Sequence, residues 1–80
     1  MSSFLLEHRH GPDECGAVFA AWNGFDSPLR GSRVWSSCRT GDHRVWFLIE
    51  APDVATALLQ VPQYVATRSI ATYVTEVVIR

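Results

Sequence analysis

The sequence predicts an α+β fold with the element order β-α-β-β-α-β, the ferredoxin-like or split βαβ arrangement. Three observations predict it: two segments carry apolar residues at helical spacing, four runs alternate or are rich in β-branched residues, and Pro and Gly mark the junctions between them. Two right-handed β-α-β crossovers then give an antiparallel sheet in the order 4-1-3-2 with both helices on one face. The chain of 80 residues forms a single domain (1-80), with no repeat, low-complexity tract or linker.

Phe4 to His10 is short and apolar at its start, and Gly11-Pro12 follows, which fits a strand feeding a helix. In that helix Cys15, Val18, Phe19 and Trp22 fall at i, i+3, i+4 and i+7 on one face. Asp13 and Glu14 stand in its first turn, where the helix dipole favours carboxylates, and Gly24 stops it. Gly24 to Gly31 is a loop whose apolar residues pack it down. Ser32 to Cys38 and His43 to Glu50 are the next two strands, joined by Arg39-Thr40-Gly41-Asp42 with glycine where a positive φ is expected. Ala51-Pro52-Asp53 opens a second helix with Val54, Ala57, Leu58 and Val61 at helical spacing, closed by Pro62. After a turn over Gln63 to Arg68, Ile70 to Ile79 is the last strand, dense in β-branched residues.

One face of such a sheet is left bare, yet Val45, Phe47 and Ile49 alternate with Trp46 and Leu48, so both faces of the third strand want cover. The last strand repeats the two-sided pattern. A domain this short has a thin core, and a second copy packed on the bare face would thicken it. The expectation is a homodimer.

Seven basic residues, all arginine, against eight acidic ones give a net charge of -1, which supplies no field for nucleic acid and no polybasic membrane signal. Met1 to His10 has no basic n-region or long apolar core, and the longest uncharged stretch, Val54 to Thr67, is broken by Pro62 and too short for a bilayer. The expected compartment is the cytoplasm, where Cys15 and Cys38 would be free thiols or ligands rather than a disulfide. Gly-rich phosphate loops, Walker patterns and Gly-x-Ser-x-Gly elbows are absent, which argues against a nucleotide-driven enzyme.

In the predicted topology every histidine and cysteine maps to one sheet edge: His8 and His10 at the end of the first strand, Cys15 at the opening of the helix, Cys38 at the end of the second strand and His43 at the start of the third. These are the ligand types that zinc, nickel and copper prefer, and the expected metal set is His8, His10, Cys38 and His43. Cys15 shares a face with Val18 and Phe19 and is expected as a small buried hydrophobe. The leading reading is a homodimeric binding protein that holds a transition metal or a small apolar ligand at this edge. The alternative is a cofactor-free isomerase, cyclase or monooxygenase on a small cyclic or aromatic compound, with His8 or His10 as base at an apolar cavity walled by Trp46, Phe47 and Tyr73. A third is a structural or regulatory partner protein with no ligand.

The segment Leu58-Leu59-Gln60-Val61-Pro62-Gln63-Tyr64-Val65, followed by the extended run ending in Val77-Val78-Ile79, resembles the close of the second helix in muconolactone isomerase-like members of the dimeric α+β barrel superfamily. The stretch Phe4 to Arg9 ending in His8-Arg9, then Val45-Trp46 and Leu48-Ile49-Glu50-Ala51-Pro52-Asp53, is similar to small bacterial proteins that include a nickel-binding member. The resemblance implies a dimeric α+β barrel and carries over His8 alone as a ligand. It also implies that the first-strand parity of Phe4, Leu6, His8 and His10, rather than that of Leu5, Glu7 and Arg9, faces the dimer interior.

Overall fold

A computed structural model describes all 80 residues. The elements are β1 (Ser2–Arg9), α1 (Cys15–Ala20), β2 (Trp35–Ser36), a 3-10 turn (Cys38–Thr40), β3 (Arg44–Ala51), α2 (Val54–Leu58), α3 (Gln63–Ala66) and β4 (Ser69–Val74). The sheet is antiparallel and open in the order β2-β3-β1-β4, which counted from its β4 edge reads 4-1-3-2 and leaves β1 and β3 central.

Phe4, Leu6 and His8 of β1 face the same side as Val45, Phe47, Ile49 and Ala51 of β3, and all seven are buried. Val18 of α1, Ala57 of α2, Val61 of the link between α2 and α3, and Val65 of α3 close over them to complete the core. The expected parity of β1 is therefore corrected: the histidine side lies under the helices, and Leu5, Glu7 and Arg9 take the bare face. The helices supply apolar side chains on only one side of the sheet, and that side takes the parity with the larger uninterrupted apolar volume. On the other side Leu48 and Ile70 are 66% and 67% exposed, with Trp35 at 83%.

Several expected boundaries move, each for a local reason. The expected second strand shrinks to Trp35–Ser36 because serine side chains compete for its backbone. Cys38 N–H donates to Ser36 Oγ at 3.2 Å, and Arg44 N–H donates to Ser37 Oγ at 3.0 Å, so the chain leaves the ladder and coils into the 3-10 turn. Gly41 has φ of 89°, as its place in the turn requires.

The expected second helix becomes two. Asp53 caps α2 by accepting from Thr56 N–H at 2.7 Å, and Pro62, which cannot continue α2, opens α3 where a plain turn was expected. The helix count is thus three short helices rather than two. The last strand stops at Val74 rather than Ile79 because Val74 already pairs with Ser3, so β1 has almost no residues left to pair with Thr75 to Arg80. Phe19, expected in the core, is 52% exposed, since α1 ends after six residues and turns away.

Candidate metal centre

Four side chains converge where β1 runs into α1 and where the 3-10 turn runs into β3. His10 Nε2 lies 3.2 Å from Cys15 Sγ and 3.4 Å from Cys38 Sγ, and Cys15 Sγ lies 3.1 Å from His43 Nδ1. All four ligand atoms of His10, Cys15, Cys38 and His43 fall within 4.8 Å of one another, and each residue is half-buried.

Local structure explains the meeting. His10 N–H donates to the His43 carbonyl at 3.1 Å, which ties the end of β1 to the start of β3. The Gly11-Pro12 turn then reverses the chain so that Cys15, the first residue of α1, returns over it. Glu14 anchors that return: its carboxylate accepts from Gly11 N–H at 2.8 Å, from the Tyr64 hydroxyl at 2.8 Å and from Arg68 Nε at 3.2 Å. These donors, Gly11 N–H first, hold the Glu14 carboxyl below its ordinary pKa. Across the site His43 has φ of 58°, the one non-glycine residue in the left-handed region, a conformation that costs about 1–2 kcal/mol. It points Nδ1 at Cys15.

His8 is not one of the four. It is fully buried behind them, with Nδ1 3.2 Å from the Val65 carbonyl oxygen and Nε2 3.1 Å from His10 Nδ1. Burial lowers its pKa; burial and then the neighbouring His43 lower that of His10. Both rings are thereby biased to the neutral, metal-competent form. Burial also raises the Cys15 thiol above its usual range, with Cys38 adding to the effect.

The expected set of His8, His10, Cys38 and His43 thus maps onto a cluster in which Cys15 stands where His8 was expected. Cys15 is a half-buried ligand-type group, not the buried hydrophobe of the helix face. A sequence signal for it existed: His10 and Cys15 are five apart, Cys38 and His43 are five apart, and the two pairs mirror each other as His-x-x-x-x-Cys and Cys-x-x-x-x-His.

The expected aromatic cavity does not assemble. Trp46 lies on the bare face, donating to Glu7 Oε1 at 3.3 Å under the Arg44 guanidinium, and Tyr73 packs on Phe4 at the far end of the sheet. Phe47 lines a cavity of about 210 Å³ with Val18, Phe19, Trp22, Leu29 and Val45, and no histidine lines it. No helix is long and apolar enough to cross a membrane.

The two sulfurs and two imidazoles are a donor set for a borderline-soft cation. Tetrahedral zinc, with bonds of about 2.3 Å to sulfur and about 2.0 Å to nitrogen, separates neighbouring sulfur and nitrogen ligands by about 3.5 Å. The three sulfur to nitrogen separations of 3.1, 3.2 and 3.4 Å lie just inside that edge. The cluster could hold a metal ion with small outward shifts of the side chains. No protein-family model, curated protein or solved structure matches the chain.

Proposed function

We propose that this is a small metal-binding protein whose His10, Cys15, Cys38 and His43 hold one zinc ion. The observation that carries the reading is the convergence of four ligand atoms within 4.8 Å from two separate chain segments. A two-sulfur, two-nitrogen tetrahedron favours zinc over nickel, which with nitrogen and oxygen donors turns to planar or octahedral sites, while thiolates also suit Cu(I). Four protein ligands leave no open position, so the ion's role is to hold structure rather than to activate water. A cofactor-free isomerase or monooxygenase is less well supported, because it needs an imidazole in an apolar cavity and the 210 Å³ cavity has none in its lining.

Elemental analysis and competition titration test the proposal. One zinc per chain is expected, with cobalt substitution giving the visible spectrum of a tetrahedral thiolate site. Cys15→Ser and Cys38→Ser should each lower affinity at least about 100-fold, while loss of a ligand the cluster does not use, His8, should leave the stoichiometry at one. A purified chain that takes up no stoichiometric zinc, nickel or copper overturns it.

A second copy on the bare sheet face is the assembly we propose, supported by the exposure of Leu48, Ile70 and Trp35 on that side.

A further inference from the structure

We propose that His8 is a positioning residue for this centre, fixing through one hydrogen-bond direction which nitrogen of His10 meets the ion. The inference rests on the metal reading only in its last step; the hydrogen-bond chain stands on contacts within the protein.

The chain begins at a group that can only accept. The Val65 carbonyl oxygen lies 3.2 Å from His8 Nδ1, so the proton between them sits on Nδ1. Ser69 does not reverse this. Its hydroxyl donates to the same carbonyl at 2.6 Å, which leaves its oxygen, 3.4 Å from His8 Nδ1, as a further acceptor. His8 is wholly buried, and no carboxylate contacts the ring to balance a positive charge, so it is held neutral. A neutral ring with its proton on Nδ1 presents a lone pair at Nε2.

His10 Nδ1 lies 3.1 Å from that lone pair and must therefore carry its own proton there. The proton on Nδ1 leaves His10 Nε2 bare, aimed between Cys15 Sγ and Cys38 Sγ at 3.2 and 3.4 Å. A backbone carbonyl thus selects the metal-facing nitrogen of His10 two rings away. Metal-bound imidazoles ordinarily fix their tautomer by donating the other N–H to a carboxylate or carbonyl; here a buried imidazole takes that place. Unlike a carboxylate it brings no charge into the core, which suits a partner that is itself fully buried.

Nitrogen-15 NMR of the histidine side chains in the metal-free wild type reads the two tautomers directly. The expected result is Nδ1–H on both His8 and His10. An Nε2–H tautomer at His8 overturns the relay, whether or not the chain binds metal. On adding zinc, the His10 Nε2 resonance should move to a ligated position while His10 Nδ1 keeps its proton; ligation through Nδ1 overturns the proposal. His8→Phe keeps a ring in the core and removes the acceptor, and zinc affinity should fall about 10- to 100-fold with one-to-one stoichiometry retained. His8→Gln offers an amide oxygen toward His10 and should recover part of the loss. A folded His8→Phe protein that binds zinc as tightly as wild type overturns the positioning role. A wild type with Nδ1–H on both rings that takes no metal supports the hydrogen-bond chain and overturns the His10, Cys15, Cys38 and His43 centre, and with it the positioning role.

Discussion

His8 illustrates how one buried polar side chain can set both the stability of a small domain and the behaviour of its neighbours. Burial lowers its pKa from the ordinary value of 6.5, so the unfolded chain binds the proton more readily than the folded one. Stability is then fully present above pH 6.5 and is lost as pH falls through the depressed folded value. Melting temperature of the chelator-treated protein should fall as pH drops from 7 to 5, and the fall should shrink in His8→Phe. It should not vanish, because His10 is shifted in the same direction. A melting temperature flat across that range would contradict the assignment of His8 as buried and neutral. Cys15 adds the opposite requirement, since its raised thiol must give up a proton before it can ligate.

Short elements carry the ligands, and the two turns that hold them answer to glycine in opposite ways. Gly41 closes the 3-10 turn between Cys38 and His43 at φ of 89°, with open space where a Cβ would stand. Gly41→Ala therefore meets backbone strain alone and should destabilise by about 1–2 kcal/mol in urea unfolding. Gly16, inside α1 beside Cys15, also faces open space but has ordinary helical geometry, and Gly16→Ala should stabilise by about 0.5–1 kcal/mol. Equal effects of the same sign at the two sites would refute this reading of the turns. The strand alternation of β1 and β3, the cap at Asp53 and the stop at Pro62 were legible in the sequence because each is a local pattern with a local cause. The loss of most of the second strand was not, since Ser36 and Ser37 read as strand-compatible until their hydroxyls meet Cys38 and Arg44. Cys15 was misjudged for a related reason. Its helical register with Val18 is genuine, but as the first residue of α1 it sits at the rim of that face, where the chain folds back on His10.

At the scale of the molecule, twelve of 80 residues are buried, a thin core that the proposed second copy on the bare sheet face would thicken. Leu48 lies near the middle of that face on the central strand β3, and a charge there adds nothing to the inner core. Leu48→Glu should turn a dimer into a folded monomer in sedimentation analysis; a monomeric wild type would remove the second copy from the account. The spacing of the ligands bears on something else, the fate of the chain under proteases. His10 with Cys15 and Cys38 with His43 bracket residues 16–37, a stretch with little regular structure after α1 in which Arg30 and Arg33 stand exposed. The proposed ion, bound by both pairs, would cinch the two ends of that stretch together and make it harder to thread into a trypsin-like cleft. If the proposed centre is filled, loss of the ion would loosen both ends and open the arginines to cutting, so the survival time of the protein would follow the supply of metal.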